Sequence, residues 1–415
     1  NTSLPPSSDQ KGGRPANTYN SREKTGKKSG GQKGHKGTTL TKADVEEKLR
    51  SGKYCHRIRE IGEARGGKYT VKYVLDLEVV PVITEVRIYA DQEGRTVIPE
   101  EYRSDVTYGE RLKALAVMLY GEGVMSIQRI TSLLNGLGGG DLKLSEGSVY
   151  GFCRRFAEKE EGDLKRLEER LLNQEVVSTD ATVVTLNGKQ SFIRNFSVKD
   201  SVLYEGMTGK SIEDLRGVDF LVQYTGTLMH DHETALYRFG TGHGECNVHL
   251  LRYLKKNTEE TGNGWSGKMS SLLARMNRER KEAIERGEKG FRREEVEKYR
   301  EEYRELIREG REENKETKHA YAKEEEKKLL NRMEKYEENH LLFLEDFRVP
   351  FDDNMSERDL RKAKNRQKMS GGFRRESGQK MYCGILSILE TLKRRGMPML
   401  ENIEKVFREK TPALF

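Results

Sequence analysis

No stretch of the 415 residues approaches the roughly 20 consecutive apolar residues that a membrane-spanning helix needs. No charged start leads into an apolar segment, so no secretory signal is visible. Residue 1 is Asn rather than Met, and the sequence is therefore expected to begin inside a longer reading frame or to have been trimmed. Cysteine is scarce. Cys55, Cys153, Cys246 and Cys383 are widely scattered and form no C-x-x-C pair, which argues against a disulfide framework and fits a reducing cytosol. Apolar residues are few as well, 34% against 35% charged, so part of the chain must be solvated helix or tail rather than core. What is present in excess is positive charge. The net charge of +8 calls for a polyanionic partner, of which nucleic acid is the usual one.

Composition changes along the chain divide it into successive segments. Residues 1–42 are dominated by Gly, Ser, Lys, Pro and Asn and read as a flexible basic arm. Within it Lys27, Lys28 and Lys33 are spaced by small residues and suited to tracking phosphates. Residues 43–105 contain a Val-, Ile-, Thr- and Tyr-rich run with visible alternation, which predicts a small β module. Residues 106–170 turn to helical spacing. Three short helices are expected, the last capped by Ser145 and carrying Arg154 and Arg155, and the arrangement is like a helix-turn-helix. A plain helical bundle fits the same pattern.

Residues 171–251 give the clearest α/β pattern: a strand in EVVSTDATVVTLNG, a turn at Asn187-Gly188, two more strands, a helix, and a fourth strand ending at Asp231. A short helix, a fifth strand in GECNV and the start of another helix follow. Residues 252–345 are so rich in Glu, Lys and Arg at spacings of three and four that they predict exposed helices, a hairpin or bundle protruding from the core. Residues 346–396 are strongly basic and read as helix, Gly-rich turn, helix; residues 397–415 form a C-terminal tail.

Three acids are placed where they could carry chemistry. Asp180 lies inside the β-branched run VVSTDATVV, where an unpaired carboxylate is costly to bury. Asp231 stands where a strand gives way to a helix, and Glu357 near the start of a helix far along the chain. Two strand carboxylates and one helix carboxylate suit a two-metal phosphoryl-transfer site, and hard oxygen ligands suit Mg²⁺ or Mn²⁺. Composition alone does not single these three out among 68 acidic residues. Cys246 and His249 form a C-x-x-H, half of a zinc site with no second pair at ligand spacing, so zinc is not expected. His230 and His232 flank Asp231 and read as ordinary hydrogen-bonded histidines.

Four segments together resemble the insertion sequence 66 family of bacterial transposases. They are NTSLPPSSD with GGQKGHKG; YGERLKALAVMLY with LSEGSVYGF; VVSTDATVVTLNGK with MHDHETALYRFG and ECNVHLLRYL; and VPFDDNMSERDLRKAKNRQKMSGGFRRESG. The last is the most specific, an N-x-x-E-R, a basic helix and then S-G-G-F-R in fixed order. The resemblance implies a DDE transposase with a ribonuclease-H-like α/β core, interrupted by a helical insertion between the second Asp and the Glu. It assigns Asp180, Asp231 and Glu357 as catalytic metal ligands for two Mg²⁺ or Mn²⁺ ions. Asn354 one turn earlier, His230, His232, Cys246 and His249 become supporting residues, and Arg358, Arg361, Lys364, Arg366, Lys368, Arg374 and Arg375 become a DNA-binding stretch.

One departure stands out. The cysteine-rich zinc module usual before YGERLKALA keeps only Cys55, which implies a β-fold that has lost its metal. The resemblance further implies double-stranded DNA as partner, both element ends and target, and small accessory proteins of the same element. Pairing of two ends calls for a homodimer, and the bacterial cytoplasm is the expected setting. Two alternatives remain at this stage: a transposase-derived DNA-binding protein without turnover, and a metal-dependent endonuclease without strand transfer.

Overall fold

A computed structural model describes residues 40–52, 55–58, 70–75, 77, 79–408 and 411–415. The arm residues Lys27, Lys28 and Lys33 lie outside them. The chain divides into two compact units, one spanning residues 21–85 and one holding residues 86–415.

In the first unit, α1 (Lys42–Arg50) begins at Thr41, whose Oγ1 accepts the Asp44 amide while the Asp44 carboxylate accepts the Thr41 amide. The reciprocal bonds satisfy two of the donors that a helix start leaves open. The β module expected over 43–105 is not found: among the described residues of that stretch no strand forms. Most of its described apolar side chains face solvent, with Val74 90% and Ile83 98% exposed. β-Branched residues favour strands because they pack against cross-strand neighbours, and here alternation alone supplies none.

The second unit opens with α2 (Glu110–Gly121), α3 (Ile127–Leu137), α4 (Glu146–Lys159) and α5 (Glu161–Leu172). Ser126 and Ser145 cap α3 and α4 by accepting the amides of Arg129 and Ser148. β1 (Val176–Leu186), β2 (Lys189–Val198) and β3 (Ser201–Met207) follow, then α6 (Ile212–Arg216), α7 (Asp219–Gln223), β4 (Thr227–His230), a 3-10 turn over Thr234–Arg238 and β5 (Gly242–Glu245). Asn187 and Gly188, with φ of 50° and 73°, make the β1–β2 hairpin turn.

Among the described residues the strands form one sheet in the order β3-β2-β1-β4-β5. The first three pair antiparallel, and β4 and β5 run parallel to β1. β2 is buried on both faces from Ser191 to Ser197, because helices cover the sheet on each side. At the β3 edge, Thr391 and Ser387 accept the amides of Val202 and Tyr204, closing an edge that would otherwise be open to another strand.

α8 (Asn247–Thr261) leads into α9 (Trp265–Glu285), α10 (Arg293–Glu316), α11 (Ala320–Lys335) and α12 (Glu337–Glu345). The charged insertion is therefore helical, as its spacing predicts, but it does not stand clear of the core. Trp265, Met269, Tyr303, Ile307, Met333 and Leu344 pack into an apolar cluster that runs on into α8 and reaches Met229 of β4. The chain then returns through α13 (Asn354–Asp359), α14 (Arg361–Ser370), α15 (Glu376–Arg394) and α16 (Met399–Arg408). Between α14 and α15, Gly371 and Gly372 take φ of 69° and 97°, and a side chain at Gly372 would strike the Thr185 carbonyl. The turn lets Phe373 exchange backbone hydrogen bonds with the far end of β1, through Thr185 and Asn187.

Candidate active site

Pairing of β1 with β4 brings the first two acids near one another. β1 and β4 pair in parallel with Val176 opposite Thr227 and Ser178 opposite Met229. Asp180 stands two residues beyond Ser178 on β1, and Asp231 directly follows His230, the last residue of β4; the Asp180 charge bears on Asp231. On the other flank of β1, Asp180 lies directly opposite Asn195 of β2. Asn195 is fully buried and donates through Nδ2 to the Ser356 carbonyl of α13, at 3.3 Å. The face that carries Asp180 is thus the face on which α13 packs, and α13 carries Glu357.

His249 marks the point of convergence. Its Nε2 stands 3.2 Å from Asp231 Oδ2 and 3.2 Å from Glu357 Oε1. Arg252, one turn further along α8, reaches the same nitrogen at 3.0 Å and Glu357 at 3.7 Å. The C-x-x-H has divided its tasks. Cys246 is buried at the start of α8 and its Sγ accepts the Asp353 amide at 3.2 Å, fastening the loop before α13. Its thiol is pushed well above the ordinary range, by burial first and then by the Asp353 charge. Cys246 and His249 therefore face different neighbours.

Burial raises the pKa of Asp231; the His249 charge opposes this, and the charges of Asp180 and Glu357 add to it. Asp353, fully buried nearby, is held well above the ordinary carboxylate range by burial first and the Asp180 charge second. A divalent cation would relieve this mutual repulsion, and hard carboxylate oxygens are what Mg²⁺ or Mn²⁺ prefers, so the donor set fits such an ion. Among the described residues, however, no three or more His, Cys, Asp or Glu side chains are drawn close enough to form a ready metal cage. What is assembled is a half-exposed acidic face with one imidazole between two of its carboxylates.

The flanking histidines turn elsewhere. His230 is fully buried with Nε2 3.3 Å from His243 Nδ1, and burial, with the His243 charge second, lowers its pKa to about 3. His232 Nδ1 lies 2.5 Å from Glu245 Oε1. Asn354 opens α13, its amide donating to Asp352 Oδ1 at 3.2 Å.

The family model described as Transposase IS66 family matches residues 105–381. The chain belongs to that family. Among curated proteins none matches it.

In this IS66-family chain the basic stretch after Glu357 is not one helix. α13 ends at Asp359 and α14 begins at Arg361, so Glu357 and Arg361 do not share an unbroken helix face. Among the described residues, Arg252 stands 3.7 Å from Glu357. Arg358, Arg361, Lys364, Lys368, Arg374 and Arg375 are exposed. Arg366 is not, and its assignment to DNA contact is corrected. Only 6% exposed, it donates to the Met125 carbonyl at 2.7 Å and lies over the rings of Tyr120 and Tyr382. An i, i+3 spacing from Ala363 turns it inward, where a guanidinium over two aromatic faces belongs to the core. Arg154 and Arg155 are exposed on α4, the former 3.4 Å from Glu158.

Reading the sequence passed over Asn195, Arg252, Glu245 and Asp353. Arg194 and Asn195 did leave a signal, two adjacent polar residues inside the strand FIRNFSV. For Arg252 and Glu245 only folding supplied a partner. No described helix is long and apolar enough to cross a membrane.

Proposed function

We propose that this IS66-family chain is a DDE transposase that cleaves the ends of its element and joins the freed 3′ hydroxyl to target DNA. One observation carries the reading: His249 Nε2 lies 3.2 Å from both Asp231 and Glu357, acids 126 positions apart in a 415-residue chain. The parallel pairing of β1, which carries Asp180, with β4, which Asp231 directly follows, supports it. So does the sheet order, three antiparallel strands with two short parallel ones after them and helices on both faces, which suits a ribonuclease-H-like core.

Asp180, Asp231 and Glu357 would hold the divalent ions. Bound there, Mg²⁺ or Mn²⁺ would supply Lewis-acid stabilisation of the attacking and leaving oxygens of an in-line displacement. The protein's own groups position the acids. Asn195 ties the Asp180 strand to α13, and Cys246 secures the loop ahead of it. His249 and Arg252 set cationic or hydrogen-bonding groups against Asp231 and Glu357. DNA is the substrate that the family implies, and the exposed cations of α13, α14 and the following turn lie along the chain directly after Glu357. Within this reading α2–α4 serve as a helix-turn-helix-like DNA contact, and two chains act together on paired ends.

The test is incubation with the element's own ends, a target plasmid and Mg²⁺ or Mn²⁺. The expected products are cut ends and joined target DNA. Nicks without joining would reduce the activity to that of an endonuclease, and DNA binding without cutting would leave a binding protein.

A further inference from the structure

Asp231 is followed by a residue in an unusual conformation. His232 has φ of 41°, in the left-handed region that non-glycine residues rarely occupy unless their surroundings hold them there. Those surroundings are explicit. Glu245, only 1% exposed at the end of β5, faces His232 Nδ1 at 2.5 Å and accepts the Tyr237 hydroxyl. Its second oxygen accepts from Arg332 of α11 at 2.8 Å and faces His340 Nε2 of α12 at 2.9 Å. On the far side of the turn, Glu233 is gripped by the buried Arg194 of β2 at 2.5 Å and by Lys210 at 3.2 Å.

We propose that Glu245 is a positioning residue: through His232 it holds the turn in the left-handed form that leaves Asp231 on the face of Asp180, and through Arg332 and His340 it makes the helical insertion part of the catalytic centre. Four donor-bearing side chains on one buried carboxylate leave it little freedom, and the residue so fixed is the neighbour of a metal-site acid. The insertion then has a task beyond carrying charge, since two of its helices brace the strand end where Asp231 sits. This inference rests on the proposed role of Asp231 in holding a divalent ion.

The test uses the full chain and free Mn²⁺, counted by electron paramagnetic resonance, so that it does not depend on turnover. Glu245→Gln keeps size and one acceptor but removes the charge. It is expected to weaken Mn²⁺ binding about tenfold or more, the usual consequence of losing a group that orients a metal ligand. The second arm compares His232→Ala with His232→Gly. Both remove the imidazole, but only alanine must hold a positive φ against its own Cβ. His232→Gly is expected to bind Mn²⁺ more tightly than His232→Ala. Equal affinities for that pair, or wild-type affinity in a folded Glu245→Gln, overturn the inference; if Glu245→Gln does not fold, the alanine–glycine pair decides. Asp231→Asn separates the two levels. If it binds Mn²⁺ as the wild type does, the metal reading itself fails. If it loses Mn²⁺ while the Glu245 and His232 variants do not, only the positioning role fails.

Discussion

Asn195 accepts the backbone N–H of Asp180 through Oδ1 at 3.0 Å, and with its other end donates to the carbonyl of Ser356, the residue before Glu357. One buried carboxamide thus spans two acids that are 177 positions apart in sequence. Asn195→Ala should leave these groups buried without their partner, at a cost of about 1–3 kcal/mol. Cleavage should fall further than stability alone explains, because the two acids lose their shared reference. Chemical denaturation and single-turnover cleavage together check this; wild-type cleavage in the folded variant would remove Asn195 from the positioning scheme.

Asp180→Asn, Asp231→Asn and Glu357→Gln should each abolish cleavage while leaving DNA affinity largely intact. Each keeps side-chain size and removes an anionic oxygen ligand. Gel-shift affinity and cleavage of labelled ends are the paired measurements. Near-normal cleavage in any one would show that acid to be wrongly assigned.

The exposed and the buried cations after Glu357 should separate cleanly. Replacing Lys364, Lys368 and Arg374 with Ala should weaken binding to any duplex and lower the salt slope by up to about one unit per lost phosphate contact, with little change in stability. Arg366→Ala should do the reverse. It removes a guanidinium from over Tyr120 and Tyr382 and frees the Met125 carbonyl, so thermal stability should drop while the salt slope holds. A changed slope for Arg366→Ala alone would return that residue to the DNA surface.

Stability should fall as pH rises toward 8. Glu160 is buried beside Asp163, and burial, with the Asp163 charge second, pushes its pKa up from 4.5 to about 8. In the folded chain it keeps its proton where the unfolded chain has released it. The neutral acid therefore contributes its full share below about 4.5, and that share is lost as pH climbs through about 8. Glu160→Gln, which is neutral at every pH, should flatten this part of the profile. Melting temperatures of both proteins from pH 5 to 9 test it, and parallel profiles would show Glu160 to be ordinary.

Purified protein should hold no stoichiometric zinc. Cys246 is buried with its sulfur on the Asp353 amide, and His249 turns its Nε2 toward Asp231 and Glu357. A cysteine binds zinc as its thiolate, and burial opposes that form at Cys246. Elemental analysis finding one tightly held zinc per chain would overturn the assignment.

Local patterns made much of this legible beforehand. The Asn187-Gly188 turn, the three strands around it, the serine cap at Ser145 and the helical character of the charged insertion all follow from preferences that act within a few residues. The β-rich run before residue 100 shows the limit, since alternation without a partner strand formed no strand among the described residues. Arg366 shows another: in a helix so rich in cations, sequence does not say which one the helix rotation turns into the core.

By itself the sequence determined the element types from residue 106 onward, the family and the three acids worth watching, because turn chemistry, periodicity and motif order are written in neighbouring residues. Tertiary structure alone decided that the charge of Asp180 bears on Asp231, that Asn195 joins two distant backbones, and that Arg252 stands beside Glu357. It also decided that Glu245 gathers His232, Tyr237, Arg332 and His340. The reason is physical. A buried charge is tolerable only with partners, and those partners come from whichever segments packing brings within about 3 Å, a distance that carries no trace of separation along the chain.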